Sequence, residues 1–99
     1  MSLTVVLRRA AQAEFDEAAD WYEQQQTNLG LKFVAKVQAT FDRVCRVPRQ
    51  FPVVFGEARQ AIVDRFPYSV LFLVESKRIV VLAVFHHRRD PSVWKRRLN

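Results

Sequence analysis

The chain is short of cysteine, glycine and acidic residues. Its single cysteine, Cys45, has no intrachain partner for a disulfide and no second thiol for a structural zinc site, so a reducing, cytoplasmic home is expected. Two glycines and four prolines in 99 residues exclude a glycine-rich phosphate loop, repeats and low-complexity linkers. No stretch approaches the ~20 apolar residues of a membrane helix. The longest apolar run, Ile79 to Phe85, has the size of a strand, and Leu3 to Leu7 is too short for a signal-peptide core. Only two histidines are present, adjacent on what reads as a strand, so they diverge; neither a metal nor a cofactor is expected. Ten acids against sixteen lysines and arginines leave a net charge of +6.

What is present is apolar and basic. Eight phenylalanines and two tryptophans among 49% hydrophobic residues exclude a disordered tail and call for one packed core, which the whole chain, 1–99, supplies as a single domain. The charge is segregated. Residues 10–30 hold Glu14, Asp16, Glu17, Asp20 and Glu23 and no base, so the rest of the chain carries all sixteen cations against five acids. Such asymmetry draws anions, nucleic acid or acidic proteins toward a surface.

Periodicity predicts an α+β fold of order β-α-α-β-β-β, with an antiparallel helical hairpin packed on an antiparallel sheet. Leu3-Thr4-Val5-Val6-Leu7 reads as a first strand. Phe15, Ala18, Ala19 and Tyr22 form the stripe of an amphipathic helix reaching about Gln26, whose acids lie in its first half, where they complement the helix dipole. Thr27 or Asn28 is placed to cap a second helix with a stripe of Phe33 or Val34, Val37, Phe41, Val44 and Cys45, ended by Pro48. A loop around Gly56 follows, then strands over Ala58–Val63, Tyr68–Glu75 and Arg78–His86, the last two joined at Ser76-Lys77. Both faces of these two strands are apolar. One is expected to meet the helices and the other, with Val80, Leu82 and Val84, to stay bare for a partner or a second copy of the chain.

Two motifs stand out: Arg65-Phe66-Pro67-Tyr68, which opens the hairpin, and Val84 followed by His86, Arg88, Arg89, Asp90, Pro91, Trp94 and Arg97, which closes it. With Gly30 and Phe33 near the start of the second helix, they make the chain similar to toxins of the RelE/ParE superfamily, from bacterial type II toxin-antitoxin modules of the plasmid-stabilisation kind. The resemblance in element order covers nearly the whole chain. It implies growth arrest, either by poisoning DNA gyrase, as ParE-like toxins do, or by ribosome-dependent cleavage of messenger RNA, as RelE-like enzymes do. It also implies a cognate antitoxin whose acidic, apolar segment wraps the toxin in a hetero-oligomer. A basic binding module without toxicity is a third reading.

Cleavage needs a base, an acid and cations around the phosphate. Arg65, His86 and Arg89 are the candidate catalytic residues if the protein is a nuclease, with a looser Glu57, Arg65 and His86 pattern beside them. Of the two imidazoles, His86 is favoured over His87, and its other reading is a hydrogen-bonded anchor for the Arg88–Asp90 turn. Arg59, Arg88, Trp94, Lys95, Arg96 and Arg97 are the candidate target-binding residues. Trp94 also reads as the pin of the C-terminal tail, and Asp90 before Pro91 as turn chemistry. Set against the resemblance, the long helical hairpin and the lack of any tyrosine after Tyr68 favour the gyrase reading, and the apolar interior of the last strand departs from the basic cluster that RelE-like nucleases use.

Overall fold

β-branched residues make strand β1 (Thr4–Leu7), and the chain turns at Arg8 into helix α1 (Arg9–Gln25), then helix α2 (Leu29–Arg46). In the computed structural model, which describes residues 3–98, these helices lie across one face of a five-stranded sheet. The sheet contains β1, β2 (Val53–Phe55), β3 (Ala58–Ile62), β4 (Tyr68–Val74) and β5 (Arg78–His86) in the order β1-β5-β4-β3-β2. All neighbours are antiparallel except β1, which runs parallel to β5 with Val5 opposite Ile79 and Leu7 opposite Val81. The expected α+β order therefore holds, with one addition. β2 falls in the stretch read as loop, because three exposed residues after Pro52 carry no alternation, and it turns into β3 at Gly56 (φ 56°).

The helical hairpin is fixed at its crossing. Asn28 has φ 71° and its side chain makes no capping bond; the cap of α2 comes from Glu23 on the preceding helix. Its carboxylate accepts the backbone N–H of Asn28 (2.8 Å) and of Gly30 (3.0 Å). Gly30 allows this approach, since a Cβ there would lie 2.5 Å from the carbonyl oxygen of Ala19. Beneath the hairpin, Phe15, Tyr22, Phe33, Phe66 and Tyr68 meet mostly edge to face at centroid separations of 4.9–6.1 Å. Full burial of each large apolar side chain is worth about 1.5–3 kcal/mol. The expected acidic complement to the α1 dipole is absent: the first turn has no acid and Arg8 makes no side-chain cap.

A bulge decides what β5 shows to each side. Leu71 pairs with Ala83 but Phe72 pairs with Val81, so Leu82 is the extra residue. Ile79, Val81 and Val84 join the core under the helices, while Leu82, Ala83 and Phe85 join a second cluster on the opposite face. That face is not bare. Helix α3 (Ser92–Lys95) and a 3-10 turn (Arg96–Leu98) fold back over it, and Trp94, Val93 and Leu98 pack on Ala58, Leu71 and Leu82. Val80, Leu82 and Val84 are all buried within the monomer, Val84 in the core under the helices and Leu82 beneath the chain's own tail, so the bare face expected for a partner is not there. The exposed large apolar side chains lie elsewhere: Val53, Val54, Phe55 and Ile62 on β2 and β3, Trp21 and Leu31 on the helices, Val6 on β1 and Val47 just after α2.

Candidate functional site

The two sequence motifs meet because β4 and β5 are paired to their ends, where Tyr68 faces His86. Three backbone bonds hold the loop before β4: Val63 N–H to Tyr68 O (2.9 Å), Tyr68 N–H to Phe66 O (2.8 Å) and His87 N–H to Pro67 O (2.9 Å). Arg65 sits in this loop at φ 66°, a left-handed conformation that a non-glycine residue rarely holds. Its side chain is mostly exposed, with only a loose 3.9 Å approach to Asp64, whose carboxylate is taken by Lys36 at 3.1 Å. Arg65 is thus a projecting cation at the end of the sheet.

The two imidazoles point to opposite faces. His86 lies against the ring of Tyr68 (5.0 Å between centroids), and its Nδ1 accepts the backbone N–H of Arg88 at 3.0 Å. Partial burial, then the Arg88 and His87 charges, hold its pKa below the usual imidazole value. Accepting at Nδ1 puts the proton of the neutral ring on Nε2. His86 is therefore the anchor of the Arg88–Asp90 turn, completed by Asp90, whose carboxylate accepts the Ser92 N–H at 2.9 Å and is held below its usual pKa by that bond. His87 is bonded on the other face. Its Nε2 is 2.8 Å from the hydroxyl of buried Ser69, which in turn accepts from the Gln60 amide at 2.8 Å. This row lines an open cavity of about 480 Å³ with Val54, Ile62, Leu71, Phe85, Arg89 and Lys95.

Several of the cations read from the sequence are spent on the protein itself. Arg97 donates to both oxygens of Glu14 (2.9 Å each) and to Leu82 O (3.0 Å), while its own carbonyl accepts from Arg8. Arg89 donates to Glu14 at 2.7 Å and stacks 4.3 Å from the centroid of Phe85. Glu14 also accepts the Val84 N–H, so its carboxylate and the Arg97 guanidinium occupy the edge of β5 beyond the end of β1. Arg59 donates to Arg49 O (3.1 Å) and Phe51 O (2.6 Å), holding the loop before β2 at the far end of β3. Glu57 lies at that same far end, beside Leu73 and Glu75, so Glu57, Arg65 and His86 form no triad. Trp94 is buried and serves as the pin of the tail. Arg88 and Arg96 are exposed, and Lys95 lies 4.9 Å over the ring of Phe55. The structure thus gathers Arg65, His86, Arg88 and Arg89 at one end of the sheet and sends Arg59 elsewhere. Glu14, Gln60 and Ser69 carried no sequence signal, because each acts only through partners distant in the chain.

Similarity to known proteins bears on the family and the fold. The sequence pattern of the ParE toxin of type II toxin-antitoxin systems, parDE, matches residues 5–91. No curated protein matches the chain. Among solved structures, the chromosomal ParDE TA system from P. aeruginosa is similar at a TM-score of 0.75 and 24% identity, over 86% of this chain and 96% of that one. No helix among the described residues is long and apolar enough to cross a membrane.

Proposed function

The chain belongs to the ParE toxin family of type II toxin-antitoxin systems, and from that premise we propose that it arrests growth in the cytoplasm by binding DNA gyrase, and that a cognate antitoxin neutralises it. One observation favours binding over turnover. In the neutral His86 ring Nδ1 is occupied by the Arg88 N–H and Nε2 carries the proton, so neither nitrogen is free to act as a base. The guanidinium groups of Arg89 and Arg97 nearby are bonded to the Glu14 carboxylate and are not free to clamp a phosphate. Arg65, Arg88 and Arg96 remain as exposed cations for the target. An acidic, apolar antitoxin segment complements a chain of net charge +6 whose acids are concentrated on α1.

The test is induced expression in cells, with gyrase-DNA complexes and ribosome-bound transcripts measured side by side. Trapped gyrase-DNA complexes with intact transcripts, and recovery when a small acidic protein encoded beside the toxin is co-expressed, are expected. Codon-positioned cleavage that disappears in His86→Ala would overturn the gyrase reading in favour of a ribosome-dependent endoribonuclease. Unchanged growth would leave only a basic binding module.

A further inference from the structure

On one side the sheet ends at β2, and that edge is bare. Val53, Val54 and Phe55 are each between 40% and 52% exposed, and Ile62 at the end of β3 is 62% exposed. The opposite edge strand, β1, shows one such side chain, Val6. The backbone of β2 is open as well. The Gln60 N–H bonds to Pro52 O at 3.0 Å, which makes Val53 and Arg59 a pair that exchanges no hydrogen bonds, so the N–H and C=O of Val53 turn away from β3. An edge with outward backbone groups and apolar side chains is a template for another strand.

Charge decides which strand fits. Around the groove beside Val53, Glu57 and Glu75 stand with Arg49 and Arg59, a balance unlike the strongly basic remainder of the chain. Arg59 is committed to the carbonyls of Arg49 and Phe51, so an acidic strand arriving here would meet two carboxylates against one cation, Arg49. A second copy of the chain meets its complement. Glu57 and Arg49 each lie four positions from Val53, on opposite sides, so antiparallel pairing about Val53 brings the Glu57 end of each strand to the Arg49 end of the other. We propose that β2 pairs with β2 of a second copy about a twofold axis, joining two five-stranded sheets into one. Val53, Val54, Phe55 and Ile62 of both copies then line the seam, and the Glu57–Arg49 pair fixes its register twice. The strand is three residues long, so the dimer is a weak one, with a Kd of about 10–100 µM. The inference concerns an edge that the gyrase reading does not use and does not depend on that reading.

The test is sedimentation equilibrium of the full chain over a concentration range of about 5–500 µM, which brackets that Kd. The molar mass is expected to rise from that of one chain toward twice it. Val53→Pro removes the outward N–H while leaving the bonds between β2 and β3, and is expected to weaken dimerisation about tenfold or more with the thermal melt unchanged. Val54→Lys, at an exposed position, sets two cations across the seam and is expected to act in the same direction. Glu57→Arg and Arg49→Glu should each weaken self-association about tenfold, and the two together should restore it, because both cross-strand pairs are then opposite charges again. A chain that stays monomeric throughout, a dimer untouched by Val53→Pro and Val54→Lys, or a charge swap that restores nothing would each overturn the pairing. So would amide shifts confined to Val53–Phe55 when a glutamate-leucine peptide is added to a monomeric chain, which would give this edge to the antitoxin. Because mass is measured on the isolated protein, loss of the dimer leaves gyrase trapping in cells as a separate result, and the reverse also holds.

Discussion

Glu14 shows how one side chain can join three elements. Its side chain is 11% exposed and faces Arg97, Arg89 and the Val84 amide at once. Removing it by Glu14→Ala leaves the Arg97 guanidinium, itself 19% exposed, without its counter-charge. A loss of about 1–3 kcal/mol in unfolding free energy is expected by urea titration. In double-mutant cycles the Glu14–Arg97 coupling should exceed the Glu14–Arg89 coupling, since Arg89 is 45% exposed and exposed pairs contribute about 0–1 kcal/mol. The same scale carries the pH prediction. His86 has a folded pKa below its ordinary 6.5, so the unfolded chain binds its proton first as pH falls. Stability from this group is present above pH 6.5 and is lost as pH drops through the lower folded value. The urea midpoint should fall across that interval, and His86→Gln should flatten the fall. None of the Glu14 network was legible beforehand: its partners lie 70 to 83 residues away, and from the sequence Glu14 is one of five acids on a helix.

Helices and strands were legible where each has a period of its own. The stripes of α1 and α2, the paired strands β4 and β5 and the tight turn between them follow from local spacing. The short β2, the bulge at Leu82 and the docked tail do not, because each is set by what lies opposite it. The hairpin crossing gives a direct test. Gly30→Ala drives a Cβ to 2.5 Å from the Ala19 carbonyl oxygen, where rigid helical backbone blocks relaxation, and should cost about 1–3 kcal/mol in a thermal or urea melt. Trp94→Ala removes the pin between the tail and the second cluster, and a loss of about 3–5 kcal/mol is expected. If the tail instead contributes nothing to folding, that melt will match the parent chain. The candidate site divides the same way. Its cations were visible as a motif, whereas which of them are free depends on the Glu14 and loop-carbonyl contacts.

On the scale of the whole molecule, the net charge is +6 and five of the ten acids lie on α1, which leaves the rest of the chain strongly basic. Association with an acidic antitoxin is expected to slow about tenfold between 50 and 200 mM salt, measured by stopped-flow or surface binding. Neutralising the exposed Arg65, Arg88 and Arg96 together should reduce that dependence while each substitution shifts stability by no more than about 0.5 kcal/mol.

The parallel pairing of the first strand with the last has a consequence during synthesis. Leu7 waits for Val81, 74 residues downstream, and at about 5–20 residues per second the ribosome needs roughly 4–15 s to deliver it. Through that interval the nascent chain lacks β5, the strand that joins β1 to the rest of the sheet, and so the sheet end where the candidate site forms. A competent copy therefore exists only once β5 has been made, and until then the chain has no complete sheet to present.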